Sequence, residues 1–237
     1  MIGVVTGLVF EARDFGAGWG EGAPRARAGL GEAAGVAAET LVAEGAEALV
    51  SFGLAGGLAP DLAPGTVFSA DRVVSDAAAW RLPAVGAVAA PVDGRVGTLY
   101  GAAAPLLTPA DKRAVAARTG ACAVDMESTH VLAAAHRHGL PALVLRVVAD
   151  PAERALPRLA AVAARPDGRL DPWATAAALL RYPGDWPLVA ASARDTARAR
   201  AGLRRAAARL AGLARQGLLE RFLDVPVEDI SRGALLG

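Results

Sequence analysis

Three short segments combine acidic residues with glycines, and they are the places where this chain could carry out chemistry. The first is Gly7-Leu8-Val9-Phe10-Glu11, in which an acid follows a buried-looking apolar run. The second is Gly53-Leu54-Ala55-Gly56-Gly57-Leu58, whose glycines would let a ligand approach the backbone closely. The third joins Val124-Asp125-Met126-Glu127 to Arg146-Val147-Val148-Ala149-Asp150, with two acids and an arginine at predicted element ends. Taken alone, the first also fits a surface acid and the second a simple tight turn.

The elements that must position these segments alternate between strand-like and helical patterns. Apolar runs predict strands at Ile2–Thr6, Leu49–Phe52, Thr66–Val74, Gly94–Tyr100 and Leu143–Val148, and alanine-rich stretches predict helices near Glu32–Glu44, Pro109–Thr119 and Glu127–His138. This alternation predicts an α/β sheet, and the unbroken run Leu143–Val148 is typical of a strand covered on both faces. Because ligand sites in such sheets lie at the carboxyl ends of strands, we take Glu11, Gly53–Gly57 and Asp150 as candidate site residues.

Length and composition predict one globular domain. The 237 residues show no composition break, and a hydrophobic content of 54% with a mean hydropathy of +0.34 indicates a well-buried core over 1–237. A net charge of +1 argues against a global attraction to nucleic acid. Cys122 is the single cysteine, which suits a reducing compartment. The N-terminus lacks the features of a signal peptide, and no apolar run is long enough to span a membrane, so we expect a cytoplasmic protein.

Several other patterns do not predict a site. His130, His136 and His138 lack the spacing of a metal site, so we expect neither a metal nor a cofactor. The run Gly16–Gly22 lacks the form of a dinucleotide-binding motif, and we interpret it as a loop. Lys112 is the only lysine, which we interpret as codon bias toward Ala, Arg and Gly rather than as a binding signal.

Glu11, Gly53–Gly57, Met126-Glu127 and Arg146…Asp150 occur in an order and spacing that resemble a known family over roughly residues 1–155. It is the nucleoside phosphorylase family that includes methylthioadenosine/S-adenosylhomocysteine nucleosidase. The segments Thr6-Gly7-Leu8, Ser51-Phe52-Gly53-Leu54-Ala55-Gly56-Gly57-Leu58 and Ala123-Val124-Asp125-Met126-Glu127-Ser128 resemble one subgroup still more closely, the hopanoid-associated nucleosidase/phosphorylase. The resemblance implies one α/β domain with a central twisted mixed sheet flanked by helices. It also implies cleavage of the N-glycosidic bond of a purine nucleoside, with adenosylhopane as the substrate and adenine as a product.

The resemblance also implies roles for individual side chains. Asp150 would protonate a ring nitrogen of the leaving purine, and Glu11 would orient or deprotonate the attacking water. Glu127 would bind the ribose hydroxyls and Met126 would pack under the sugar, with Arg146 beside the sugar and the nucleophile. The remaining substrate-binding residues would be Gly53, Leu54, Ala55 and Gly56. The residues that stack on the base should come from the stretch around Ala104–Thr108.

Two departures from the family pattern affect the choice of nucleophile and leave alternatives open. Leu54 replaces a Ser or Thr, which removes a hydroxyl near the nucleophile, and Ala149 replaces the Ser before the acid. We therefore favour hydrolysis over phosphorolysis. The alternatives are phosphorolysis of the same substrate, a methylthioadenosine/S-adenosylhomocysteine-type or futalosine nucleosidase, and a non-catalytic nucleoside-binding module.

The C-terminal third carries two features that bear on partners. The Trp- and Pro-rich segment 171–187 contains Trp173, Leu180, Tyr182 and Trp186, which could form an apolar mouth for a lipid-like 5′ group, or instead bury a dimer interface or cap the core. A helix is predicted from about Ser192 to Phe222; its apolar stripe is Leu203, Ala207, Leu210 and Ala214, and its largely opposite arginines are Arg194, Arg198, Arg205 and Arg209. The arginines fit a solvated face or contact with an anionic membrane surface. We expect a homodimer.

Overall fold

Strands and helices alternate along most of the chain, as the sequence pattern predicts. The computed structural model describes residues 1–83, 94–219 and 223–231. Its strands are β1 (Ile2–Thr6), β2 (Arg25–Ala28), β3 (Ala48–Gly57), β4 (Val67–Val74), β5 (Ala79–Arg81), β6 (Arg95–Gly101), β7 (Ala123–Asp125), β8 (Ala142–Asp150) and β9 (Glu228–Asp229). Its helices are α1 (Val9–Trp19), α2 (Ala33–Ala43), α3 (Pro109–Thr119), α4 (Ser128–Arg137), α5 (Pro172–Arg181) and α6 (Trp186–Arg215), with short 3₁₀ helices at Arg158–Ala161 and Pro183–Asp185.

Five strands pair in a closed ring, which brings distant parts of the chain together. β3 pairs in parallel with β8, β8 antiparallel with β4, and β4 in parallel with β6. β6 then pairs in parallel with β7, and the antiparallel pairing of β7 with the end of β3 completes the ring. β1 and β2 extend the sheet in parallel from β3, whereas β5 and β9 extend it antiparallel from β4. The result is a mixed sheet, as predicted.

Helices flank this sheet because its central strands are apolar on both faces. Leu143, Val144 and Leu145 of β8 are all 0% exposed, which confirms the prediction of a fully covered strand. Burial of each such side chain contributes about 1.5–3 kcal/mol. Helix α6 packs on β8 and against α1, whereas α2 packs on β1 and against α4.

The contact between α1 and α6 explains Gly18, one of the glycines that the sequence pattern assigned to a loop. Helix α1 continues through Gly16 and Gly18 to Trp19, so the loop prediction is wrong for this part of the run. A Cβ atom at Gly18 would lie 2.3 Å from the backbone oxygen of Arg204, so only glycine lets the two helices approach this closely. Asp14 of α1 binds Arg200 and Arg204 of α6 on the same side.

The glycine-rich segment after Leu49–Phe52 continues that strand and is not the tight turn that its composition also fits. β3 runs without a break from Ala48 to Gly57. Its register places Gly53 beside Arg146, and places Gly56 between Val124 of β7 and Asp150 of β8. Pairing with β8 along most of its length, and with β7 at its end, holds this segment extended, although its composition alone is typical of a turn.

The C-terminal helix begins earlier than predicted. Helix α6 starts at Trp186 because Pro187 falls in its first turn, where no hydrogen bond from a backbone N–H is needed. It ends at Arg215, and residues 220–222 of the predicted helix lie outside the described residues. Leu203, Ala207 and Leu210 are buried, Ala214 is half-buried, and Arg194, Arg198, Arg205 and Arg209 are exposed, as the helical pattern predicts.

Within the described ranges 1–83, 94–219 and 223–231, no helix has both the length and the mean hydropathy that crossing a membrane requires.

Candidate active site

A cavity of about 230 Å³ opens where β3, β7 and β8 end and α1 begins. Of the acidic residues that line it, Glu11, Glu127 and Asp150 lie far apart in the sequence. The other lining residues are mainly apolar: Gly7, Leu8, Leu30, Leu54, Ala55, Gly56, Ala104, Pro105, Leu106, Lys112, Val124, Asp125, Met126, Ala149, Leu156 and Ala160. An apolar cavity with a few convergent polar groups is typical of small-molecule sites.

A larger depression, of about 560 Å³, lies at the opposite ends of β1 and β3 and includes Met1, Trp19 and Ala48. Its charged residues Glu21, Glu47 and Arg215 are exposed, and Glu47 binds the N-terminal ammonium group. Charges at an exposed position are less suited to proton transfer than buried ones, so we assign the chemistry to the smaller cavity, whose acids are buried.

Glu11 is held at the first turn of α1 by two backbone amides. Its Oε2 accepts a hydrogen bond of 2.8 Å from the amide of Leu8, the residue that precedes the helix, and its Oε1 accepts one of 2.9 Å from the amide of Leu54 in β3. The side chain is 3% exposed. Burial raises the pKa of Glu11 above its usual value, against these hydrogen bonds and the charge of Arg146, which lower it. A carboxylate with a raised pKa is a better base for a water molecule.

Glu127 lies immediately before α4 and faces the cavity across a close backbone contact. A Cβ atom at Gly7 would lie 3.0 Å from the Glu127 carboxyl carbon, so glycine leaves space for this acid. Its Oε1 accepts a 3.4 Å hydrogen bond from the amide of Gly31. Burial, together with the charges of Asp125 and Glu11, raises the pKa of Glu127 to about 8. Glu127 can therefore both donate and accept hydrogen bonds near neutral pH.

Arg146 lies beneath the cavity and neutralises the acids around it. The side chain is 0% exposed and forms an ion pair with Asp125 of β7. Its Nη2 also donates to Ser51 Oγ at 2.7 Å and Ser128 Oγ at 3.0 Å, and lies 3.7 Å from Glu127 Oε2. Arg146 thus supports Glu127 from behind.

Asp150 ends β8 and is bound by the only lysine of the chain. Lys112 of α3 is 1% exposed, and its Nζ forms a short ion pair with Asp150 Oδ2. The same Nζ donates to the carbonyl oxygens of Pro151 at 2.8 Å and Arg154 at 3.1 Å. Burial raises the pKa of Asp150 above its usual value, although Lys112 and Arg154 act to lower it.

The glycine positions of β3 differ in what they contact. A Cβ atom at Gly53 would lie 2.6 Å from Arg146 Nη1 and 2.8 Å from Glu11 Oε2, so this glycine makes room for those two side chains. At Gly56 a Cβ atom would lie 3.2 Å from Asp150 Oδ2. Leu54, Ala55 and Gly56 line the cavity.

Some predicted site residues lie outside the cavity. Within the described residues, neither Gly53 nor Arg146 is part of its lining, because both are covered by the side chains that they support. The predicted apolar mouth is also absent from the described lining. Trp173, Leu180 and Trp186 are 82%, 81% and 57% exposed, and they form what we call the exposed apolar face. Tyr182 is half-buried, with the Arg158 guanidinium 4.5 Å from its ring centre.

Two functional residues were missed by sequence reasoning. Asp125 was part of a quoted motif but had no role, whereas the structure makes it the principal partner of Arg146. Lys112 was interpreted as codon bias, although a single lysine in a chain that otherwise uses arginine is a signal that an ammonium group is needed there. The stretch expected to contact the base does reach the cavity, through Ala104, Pro105 and Leu106.

Across the part of the chain that the structure describes, no three His, Cys, Asp or Glu side chains are grouped so that they could hold a metal ion. The carboxylates of the cavity are instead bound to arginine, lysine and backbone amides.

Comparisons with known proteins identify the fold. A model of the phosphorylase superfamily matches residues 78–169. No curated protein sequence matches the chain. The structure is similar to that of a 5′-methylthioadenosine/S-adenosylhomocysteine nucleosidase from Helicobacter pylori, solved with butyl-thio-DADMe-Immucillin-A, with a TM-score of 0.64 at 12% identity over 91% of this chain and 97% of that one.

Two further solved structures are similar over most of their length. Futalosine hydrolase of Helicobacter pylori gives a TM-score of 0.62 at 14% identity, over 92% of this chain and 97% of that one. An S-adenosylhomocysteine nucleosidase from Streptococcus pyogenes, in complex with 5-methylthiotubericidin, gives 0.58 at 17% identity, over 86% and 95%. The chain therefore has the nucleoside phosphorylase/nucleosidase fold, as the sequence resemblance implied.

Proposed function

We propose that this protein hydrolyses the N-glycosidic bond of an adenine nucleoside that carries a bulky apolar 5′ group, with adenosylhopane as the substrate. The observation that carries the proposal is the convergence of Glu11, Glu127 and Asp150 on one buried, mainly apolar cavity. Cleavage of such a bond needs an acid for the leaving base, a base for the attacking water and a group that binds the sugar. Each carboxylate can fill one of these roles.

Asp150 is the proposed acid. As the C–N bond breaks, its electron pair passes to the purine, and a proton from Asp150 moves to a ring nitrogen. Burial favours the protonated carboxyl group, since it raises the pKa of Asp150. The small side chains of Ala104 and Pro105 leave space for a flat base in the same cavity.

Glu11 is the proposed base, and Glu127 the residue that binds the ribose hydroxyls. Two backbone amides fix the orientation of Glu11, so its carboxylate needs little reorganisation to accept a proton from water. Glu127, which Arg146 contacts from behind, would bind the hydroxyl groups, and Met126 lines the cavity beside it.

Water is favoured over phosphate as the nucleophile because the described lining offers phosphate no available cation. Lys112 is its one basic residue, and three acceptors already bind that ammonium group. Leu54 contributes an apolar side chain where a hydroxyl would help to bind an anion.

The exposed apolar face supports a lipid-like 5′ group. Trp173 and Leu180 lie on one side of α5, which packs against the 3₁₀ helix that carries the lining residue Ala160. Where exposed apolar side chains form a contiguous patch, the patch marks a contact surface. The alternative is that the face buries a homodimer interface.

Adenine release tests the reaction and the substrate together. The protein is incubated with adenosylhopane and, separately, with methylthioadenosine, each with and without phosphate, and adenine is followed by chromatography. We expect adenine from adenosylhopane without phosphate. Release that requires phosphate would contradict hydrolysis, and release from methylthioadenosine alone would favour an ordinary nucleosidase, the activity named for the similar solved structures.

The variant Asp150→Asn separates an enzyme from a nucleoside-binding module. We expect turnover to fall by about 10²–10⁴-fold, the usual contribution of a general acid, while binding of the nucleoside measured by calorimetry is largely kept. Unchanged activity would refute the assignment of the acid.

The double variant Trp173→Ser, Leu180→Ser tests the exposed apolar face. We expect KM to rise about tenfold or more for adenosylhopane and to stay unchanged for methylthioadenosine, since loss of two apolar contacts costs at least about 1.4 kcal/mol. A change in molar mass by light scattering, with KM unchanged, would identify the face as a homodimer interface instead.

A further inference from the structure

The contacts of Lys112, including the one to Asp150, match the geometry of an ammonium group. An ammonium group has three N–H donors and no acceptor. The Nζ of Lys112 has three acceptors around it: Asp150 Oδ2 and the carbonyl oxygens of Pro151 and Arg154. A neutral amine would turn its lone pair toward one of these oxygens, so the three acceptors match the donors of an ammonium group.

The same contact leaves one carboxyl oxygen of Asp150 available. Lys112 binds Oδ2, and within the described residues Oδ1 accepts no hydrogen bond. Gly56 packs against the carboxyl group, where a Cβ atom would lie 3.2 Å from Oδ2 and 3.4 Å from Oδ1. The carboxyl group is therefore held from two sides, with Oδ1 free for a ligand in the cavity.

A guanidinium group would not reproduce this arrangement. Arginine presents five donors in a planar fork, whereas the three acceptors here surround one compact nitrogen. The chain has 25 basic residues and Lys112 is its only lysine, so this position uses the residue type that fits.

We propose that Lys112 is a positioning residue for Asp150: its ammonium group fixes the carboxyl group through Oδ2, leaves Oδ1 for the leaving base, and stabilises the carboxylate that remains after proton transfer. This inference rests on the proposed function. In the step, the proton leaves Asp150 for a ring nitrogen of the base, and the electron pair of the C–N bond goes to that base. Water adds to the sugar carbon and gives its proton to Glu11, while Lys112 keeps all of its protons.

The other charges around Asp150 are few. Arg154 follows β8, and its guanidinium is paired with Asp195 of α6. Glu11 and Glu127 face the same cavity, above the Arg146–Asp125 pair. Lys112 is the only one of these groups that binds the Asp150 carboxyl group directly.

The pH dependence of kcat/KM for adenine release distinguishes this role from a merely structural one. Activity needs protonated Asp150, so it falls on the alkaline side. In Lys112→Met the loss of the cation raises the pKa of Asp150, and we expect the alkaline limb to move up by about one to three pH units. We expect kcat to fall about 10- to 100-fold, within the range of a general acid.

Two further variants serve as controls. Lys112→Arg keeps the charge and is expected to keep the limb near its wild-type position despite a lower kcat. Arg113→Met removes an exposed charge from the same helix and is expected to change neither kcat nor the limb. A Lys112→Met protein that loses activity equally at all pH values, with the limb unmoved, would overturn the proposal.

A second measurement needs neither turnover nor a folded Lys112 variant. Because the chain has one lysine, protein labelled with ¹⁵N-lysine gives one Nζ resonance. We expect a slowly exchanging ammonium signal that shifts with pH as Asp150 titrates, and that loses this response in Asp150→Asn. A rapidly exchanging signal that is indifferent to Asp150→Asn would refute the pairing. Absence of adenine release from every nucleoside would refute the proposed function, whereas this resonance tests the Lys112–Asp150 pair independently.

Discussion

Replacing Glu127 by glutamine should make the protein more stable in alkaline solution while it abolishes catalysis. The folded protein holds the pKa of Glu127 at about 8, against an ordinary value of 4.5. Below pH 4.5 the carboxyl group is protonated in the folded and in the unfolded protein, and there its full contribution to the free energy of unfolding is present. Between 4.5 and about 8 the unfolded chain releases the proton and the folded protein keeps it, so stability falls as pH rises.

The magnitude follows from that interval. Each pH unit across it changes the free energy of unfolding by about 1.4 kcal/mol, which amounts to about 4–5 kcal/mol in total for a side chain that is 5% exposed. The charge of Glu11 helps to raise the pKa of Glu127. Part of the pH dependence of stability therefore passes to Glu11 when Glu127 is replaced. We therefore expect the free energy of unfolding of Glu127→Gln to exceed that of the wild type by about 2–4 kcal/mol at pH 8.5 and to differ little from it at pH 5.

Urea unfolding of both proteins from pH 5 to pH 9 measures this difference, and Glu21→Gln, at an exposed position, is the matched control. The free energy of unfolding of the control should equal that of the wild type at every pH. Parallel pH curves for Glu127→Gln and the wild type, or a variant that is less stable at pH 8.5, would refute the reasoning that burial keeps Glu127 protonated.

Three further predictions concern the packing beneath the cavity and the contact between α1 and α6. Gly53→Ala should lower the free energy of unfolding by more than about 1 kcal/mol and reduce adenine release about 10- to 100-fold, because the added Cβ would lie 2.6 Å from Arg146 Nη1. In the control Gly16→Ala the added Cβ has nothing within 4 Å, so this variant should be neutral or stabilise α1. Equal denaturation midpoints for the two variants would contradict this. Arg146→Met should lower the free energy of unfolding by about 3–5 kcal/mol, since it leaves Asp125 buried without its cation; wild-type stability would show that Arg146 does not neutralise this acid. Asp14→Asn should destabilise the contact between α1 and α6: burial raises the pKa of Asp14, but hydrogen bonds from two arginines of α6 outweigh it and lower the pKa below 3.8. The stability that Asp14 provides is thus present above pH 3.8 and lost as pH falls through the lower folded value, so urea midpoints of variant and wild type should converge in acid.

The sequence by itself determined the alternation of strands and helices and the type of several central elements. Hydrophobic periodicity is a local property, so the strands at Ile2–Thr6 and Leu143–Val148 and the helix at Pro109–Thr119 could be predicted without knowledge of their neighbours. The rule that sites lie at strand ends then selected Glu11 and Asp150, which the structure places on one cavity.

Only the tertiary structure decided which groups meet. Gly53–Gly57 continues as a strand because partners from beyond position 120 pair with it: β8 along Gly53 to Gly56, and β7 at Gly56 and Gly57. Lys112 binds Asp150 across 38 residues, and the exposed apolar face lies outside the described cavity lining, because packing orients α3 and α5 in ways that no local pattern encodes. Strand pairing and buried ion pairs depend on contacts between distant segments, so their partners emerge only when the chain is folded.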